Sequence, residues 1–290
     1  MEHPNGRMAS EILTSDRRPI GIFDSGLGGL SAVKEIRALL PGEELVYFGD
    51  TGRVPYGSRS RETIRRYAEQ DMRFLLSEAA CKAVVVACGT VSANALDLLR
   101  DRYPVPVIGV IEPAVDAAVR ATKNGKIGVI ATPSSIASGA YETALRNRDN
   151  ALSVTSCACA LFVPLVENGF LDPDDPIPLL TAERYLAPVR DAGVDTLILG
   201  CTHYPLLKPV IKKVLPGVTL IDTGMEAARA LARLLEKEHL SADTDTPHPG
   251  SARYFVSDEP QDFARAAARF LGLDEKADFP VVRRVNIEAY

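Results

Sequence analysis

The sequence predicts an α/β protein built as two similar doubly wound parallel-sheet domains with the active site between them. Three observations carry the prediction. Short apolar runs alternate with helical patterns along the chain, the order that builds parallel sheets. The runs are rich in branched residues and nearly continuous in apolar character, as strands buried on both faces are. Two of them end alike: Cys88 follows Ala83-Val84-Val85-Val86-Ala87 and precedes Gly89-Thr90, and Cys201 follows Thr196-Leu197-Ile198-Leu199-Gly200 and precedes Thr202-His203.

Taken in order, strands are expected at 19–23, 44–48, 83–87, 105–110, 126–130, 152–156, 196–199 and 218–221. Apolar residues at helical spacing predict helices at 30–40, 61–78, 92–102, 113–121, 182–192, 209–214, 224–238 and 260–271. The halves echo one another weakly. Gly21-Ile22-Phe23-Asp24-Ser25-Gly26 resembles Gly128-Val129-Ile130-Ala131-Thr132-Pro133, and Cys88-x-Thr90 resembles Cys201-Thr202, which suggests duplication. Residues 109–113 read as the first crossing between halves and 221–224 as the return. The first domain is therefore expected to be discontinuous, 19–112 plus 222–290, closed by the C-terminal helices, and the second to span 113–221. Residues 1–18 are polar and read as a disordered lead-in, and 242–251 as a surface loop.

The chain has 290 residues, 46% hydrophobic and 24% charged, which leaves room for two domains of ~100–150 residues each. Net charge is −5 with no basic run, which argues against a nucleic-acid partner. No apolar stretch reaches the ~18 residues that span a bilayer, and the first residues lack a signal-peptide core. A cytoplasmic location without membrane contact is expected. Five cysteines without an export signal argue against a disulfide framework. No pair has CxxC spacing, and with four histidines in the chain no metal site is expected. Cys81, Cys157 and Cys159 read as small buried apolar residues.

Both Cys88 and Cys201 fall at carboxyl ends of strands, where open α/β sheets place their ligands. The loop Asp24-Ser25-Gly26-Leu27-Gly28-Gly29-Leu30 follows a strand and opens a helix, a place where backbone amides favour an anion. Its spacing fits neither GxGxxG nor the Walker loop, so a small carboxylate is a better guest than a nucleotide. Asp50-Thr51-Gly52-Arg53-Val54-Pro55-Tyr56-Gly57 follows another strand and reads as turn chemistry with one amphipathic aromatic. His203, two residues past Cys201, can tune a thiol, and Asp24 can do so from the other side. Glu167 by itself reads as an exposed loop carboxylate. Two thiols facing one carbon suit proton abstraction on one face and return on the other. That chemistry needs no metal, and nothing in the sequence argues for pyridoxal or any other cofactor.

Several segments together resemble the glutamate racemase family. They are Ile22-Phe23-Asp24-Ser25-Gly26-x-Gly28-Gly29-Leu30, Tyr47-Phe48-Gly49-Asp50-Thr51 with Arg53-Val54-Pro55-Tyr56-Gly57, Val85-Val86-Ala87-Cys88, and Leu199-Gly200-Cys201-Thr202-His203-Tyr204-Pro205. The stretches 162–167 and 221–224 fit as well, so the resemblance runs from about residue 19 to about 271. It implies cofactor-free interconversion of L- and D-glutamate, supply of D-glutamate for peptidoglycan, and a homodimer. It also implies site roles: Cys88 would deprotonate the D enantiomer and Cys201 the L enantiomer. Asp24 would assist Cys88, and His203 with Glu167 behind it would assist Cys201. Asp24, Ser25, Tyr56, Gly57, Gly89, Thr90, Thr202 and His203 would hold the substrate.

The chain departs from the family pattern in places. Cys88-Gly89-Thr90 stands where Cys-Asn-Thr is commoner, which keeps the backbone amide and removes a side chain expected to hydrogen-bond the substrate, a loss of ~0.5–1.5 kcal/mol. Ser135 stands where threonine is usual and Ala160 where proline is usual. Alternatives are a racemase of aspartate or another small acid, an isomerase or lyase with one nucleophilic cysteine, and an amino-acid-binding regulator without catalysis.

Overall fold

The computed structural model describes residues 16–242, 250–274 and 279–290. Most of the lead-in and most of the 242–251 loop lie outside the described residues. Within them the strands are β1 (Ile20–Asp24), β2 (Leu45–Gly49), β3 (Ala83–Val86), β4 (Val107–Gly109), β5 (Lys126–Ala131), β6 (Ser153–Ala158), β7 (Thr196–Leu199), β8 (Thr219–Asp222), β9 (Ala252–Val256) and β10 (Val282–Arg284). They form two parallel sheets with helices between successive strands. One runs β10-β9-β2-β1-β3-β4 and the other β6-β5-β7-β8.

The order β2-β1-β3-β4 in the first sheet is repeated as β6-β5-β7-β8 in the second. The echoed segments are thus the central strands β1 and β5. β1 lies between β2 and β3, with Phe23 level with Val86, and β5 lies between β6 and β7, with Ile130 level with Leu199. Burial follows position. Every residue of β1, β3 and β7 is buried, whereas β6, at a sheet edge, is at most half-buried. This is why the central strands read as unbroken apolar runs and the edge strand carries Ser153, Thr155 and Ser156. Cys157 sits on that edge and is half-buried rather than buried, while Cys81 and Cys159 are buried as expected.

A hydrophobic core joins the two sheets, with Ile22 and Val85 of the first and Val129 and Ile198 of the second in one cluster. The helices Leu30–Leu39, Ile111–Ala121 and Thr223–Lys237 contribute Val33, Val115 and Leu231 to it. The other face of the first sheet packs Phe23, Val84 and Val86 under the helix Arg61–Ala79.

The structure departs from the sequence reading in four respects. β9 and β10 extend the first sheet beyond β2, so strands as well as helices close that half; their mixed burial leaves no apolar run to notice. The helix expected at 92–102 is two helices, Gly89–Asn94 and Leu96–Arg102, divided where Ala95 takes φ −136°. The helix expected at 182–192 begins at Pro176, because the Asp175 side chain accepts from the Ile177 amide and caps the earlier start. The helices Pro133–Ala137, Ala140–Arg148 and Phe162–Glu167, the first following β5 and the third bearing Glu167, had no counterpart in the pattern.

Candidate active site

Because the sheets share their strand order, corresponding residues stand at corresponding ends. Cys88 lies two residues past β3 and Cys201 two residues past β7. Both thiols line one cleft of about 430 Å³, the size range of small-molecule sites. Its wall combines Ser25, Val54 to Ser58, Gly89, Thr90, Thr132, Thr202 and the pair His203 and Glu167. Among the described residues no lysine or arginine lines it. A charged guest would therefore meet hydroxyls, backbone amides and the His203–Glu167 pair.

The two thiols have different surroundings. Cys88, 4% exposed, precedes the helix Gly89–Asn94, and its Sγ donates to Ser25 Oγ at 3.6 Å. Burial, then the neighbouring Asp24 carboxylate, pushes this thiol up to about 12. Asp24 ends β1 and is 1% exposed. Its Oδ2 accepts the Gly26 amide at 3.0 Å, and among the described residues Oδ1 has no hydrogen-bond partner. Burial raises its pKa, opposed by the charge of His203. Asp24 does not line the cleft; it stands behind Ser25 and Cys88.

Cys201, 7% exposed, has His203 Nδ1 at 3.8 Å from its Sγ. On the far side of the ring, Nε2 lies 2.9 Å from Glu167 Oε1. Burial works against the charged imidazole, but hydrogen bonds to Cys201 and Glu167 outweigh it, and the His203 pKa rises to about 10. The Phe270 ring stands edge-on to the imidazole, with centroids 5.3 Å apart. Arg269, beside Phe270 on the helix Pro260–Leu271, donates to the Glu167 carbonyl at 3.3 Å. Glu167, read by itself as a loop carboxylate, is instead the last residue of a helix, and it meets His203 from 36 residues away.

Tyr56 and Gly57 form another part of the wall. The Tyr56 hydroxyl donates to Asp50, with Asp71 Oδ2 at 3.3 Å, and Arg53 Nε bonds Asp50 Oδ2 at 2.6 Å. The Arg53 guanidinium also reaches Asp71 at 3.1 Å and lies 4.1 Å from the centroid of Tyr67. This buried group of charges behind the wall fixes the turn that carries Tyr56. The sequence reading treated the Asp50 loop as turn chemistry, and it missed both this role and Thr132. Thr132 Oγ1 lies 3.0 Å from Thr90 Oγ1 and links the halves across the cleft. A signal for it existed: Thr132 occupies the place of Ser25 in the echo between β1 and β5.

Among the described residues no group of three or more His, Cys, Asp or Glu is arranged to hold a metal ion, and no helix is long and apolar enough to cross a membrane.

Two sheets of one topology, each presenting a thiol to a shared cleft, define a paired-thiol α/β enzyme. The sequence pattern of the Asp/Glu/hydantoin racemase family matches residues 28–231. The glutamate racemase of Geobacter metallireducens is 47% identical over 256 residues, covering 88% of this chain and 93% of that protein. The crystal structure of a glutamate racemase from Bacillus anthracis superposes with TM-score 0.86 at 39% identity, covering 93% of this chain and 98% of that one. That of the Francisella tularensis glutamate racemase in complex with D-glutamate gives TM-score 0.85 at 39% identity, covering 95% and 100%. The chain belongs to the Asp/Glu/hydantoin racemase family, on its glutamate racemase branch, and is an isomerase.

Proposed function

We propose that this protein interconverts L- and D-glutamate by a two-base mechanism in which Cys88 and Cys201 act on opposite faces of the α-carbon. The observation that carries the proposal is the pair of thiols at equivalent strand ends, lining one cleft of about 430 Å³. In the direction from L to D, the Cys201 thiolate takes the α-proton, leaving the electron pair on carbon and its carboxylate. The Cys88 thiol then gives its proton to the opposite face and becomes thiolate. The reverse reaction exchanges the roles. No group beyond the side chains of the chain is required.

The assisting roles follow the surroundings. His203, held by Glu167, passes a proton to and from Cys201. Asp24, behind Cys88, serves that thiol. Burial, then Asp24, holds the Cys88 thiol at about 12, far from the pH at which a base works best. The substrate ammonium group brings positive charge beside the sulfur and favours its ionised form. Ser25, Thr90 and Thr202 offer hydroxyls, and Tyr56 to Gly57, Gly89 and His203 offer backbone amides, to the substrate carboxylates and amine. In this reading the halves divide as 19–112 plus 222–290 and 113–221. The enzyme acts as a cytoplasmic homodimer that supplies D-glutamate for peptidoglycan.

The test is incubation of the reduced protein with L-glutamate, and separately with L-aspartate, in deuterated water. Loss of circular dichroism with glutamate, and α-deuterium in the product, is expected. Inversion of aspartate but not glutamate would replace the substrate, and no inversion of either would overturn the proposal.

A further inference from the structure

The helix Phe162–Glu167 has six residues, too few to be stable alone, and it ends on the residue that meets His203. The last carbonyls of a helix have no partner within it. Two are served locally here: the Asn168 amide reaches the Pro164 carbonyl at 3.1 Å and the Phe170 amide reaches that of Leu165 at 2.9 Å. The next two are reached from far along the chain. Arg269 Nη1 donates to the Val166 carbonyl at 3.4 Å and to the Glu167 carbonyl at 3.3 Å. An arginine at a helix C-terminus suits such carbonyls.

The guanidinium lies over the turn that follows. Gly169 takes φ +80°, and a Cβ on it would stand 3.2 Å from Arg269 Nη1 and 3.4 Å from both Cζ and Nη2. A side chain at 169 would therefore meet the guanidinium as well as an unfavourable backbone conformation. Arg269 itself is carried on a firm base. Its helix, Pro260–Leu271, buries Phe263, Ala267 and Phe270 in the core that joins the sheets, and the Phe263 ring stands 6.0 Å from that of Tyr47 in β2. The next residue, Phe270, meets the His203 ring edge-on. Two consecutive residues of one helix thus touch both members of the His203–Glu167 pair.

We propose that Arg269 is a positioning residue for proton transfer at Cys201: its guanidinium clamps the end of the helix Phe162–Glu167 and so holds the Glu167 carboxylate against His203. With that backbone held, Glu167 Oε1 keeps its 2.9 Å contact with Nε2, and Nδ1 on the other side of the ring keeps its place 3.8 Å from the Cys201 sulfur. The inference rests on the two-thiol reading above, in which His203 serves Cys201 and not Cys88. Loss of the clamp should therefore slow one of the two proton transfers. A misplacement of about 1 Å costs on the order of 100-fold in such reactions.

The test is Arg269→Ala in the full chain, with Arg269→Lys, Glu167→Gln and the double variant of Arg269→Ala with Glu167→Gln beside it. Rates are measured with L- and D-glutamate, each carrying hydrogen or deuterium at the α-carbon. Arg269→Ala is expected to lower kcat by about 10-fold with KM changed far less. Arg269→Lys, which keeps the charge and a donor, should recover part of the loss. Slowing the Cys201 step alone makes removal of the proton from L-glutamate more rate-limiting. The isotope effect on kcat/KM should then rise with L-glutamate and fall with D-glutamate. A general loosening of the fold would not push the two in opposite directions. In the Glu167→Gln background Arg269→Ala should cost little more, because both changes act through one carboxylate. Turnover near the parent value, isotope effects that move together, or a full further loss in the double variant would each overturn the proposal. If Arg269→Ala does not fold, Arg269→Lys carries the same isotope and double-variant tests. Failure of the two-thiol reading looks different, since at least one of Cys88→Ser and Cys201→Ser would then retain turnover.

Discussion

His203 is a residue whose charge is strongly altered by its neighbours. Its folded-state pKa of about 10 lies above the ~6.5 of an unperturbed imidazole. Its contribution to stability is therefore complete below about pH 6.5 and is lost as pH rises through about 10. Glu167→Gln removes one of the hydrogen bonds that raise it, so the imidazole of that variant should titrate below the parent value; an unchanged NMR titration would show that the pair does not tune the ring. The two cysteines were legible in the sequence because a polar atom at the end of an apolar run stands out. Glu167 was legible only through the family resemblance, because no local pattern marks a carboxylate that meets its partner 36 residues on. Thr132 and the Arg53 group were hidden for a related reason. Threonine and arginine are ordinary surface residues until the fold buries their contacts.

Among the elements, the central strands announced themselves through continuous burial, and the edge strands did not. β9 mixes half-buried, exposed and buried residues, and β10 is mostly exposed. A window scan for apolar runs has nothing to find there, although both strands pair in register. The helix Thr223–Lys237 shows the converse, a boundary set by local chemistry. Asp222 Oδ1 accepts the amides of Gly224 at 2.9 Å and Met225 at 3.2 Å, while Oδ2 holds Lys208 at 2.6 Å. Asp222→Ala removes the cap and should lower unfolding free energy by about 0.5–2 kcal/mol in urea titration. No change in midpoint would mean that water or a neighbour satisfies those amides.

Over the whole molecule, duplication of strand order does what neither half can do alone. Each half brings one thiol to the cleft, and the difference between the halves lies in what stands behind that thiol. A carboxylate backs Cys88, and an imidazole with its own carboxylate backs Cys201. The doubly wound class was legible because alternation of strand and helix survives divergence, whereas the shared order of the two sheets became plain only from their pairing. The shared core, in which Val85 and Ile198 belong to one cluster, ties the halves together. Calorimetry should therefore show a single unfolding transition, and two separated transitions would show that the halves are independent.

The central claim is that two thiols, not one, carry the proton. Cys88→Ser and Cys201→Ser should each be assayed for loss of circular dichroism from both L- and D-glutamate. Each variant is expected to fold and to lose racemisation by about 100- to 10,000-fold in both directions. Near-normal turnover by either one would contradict the account.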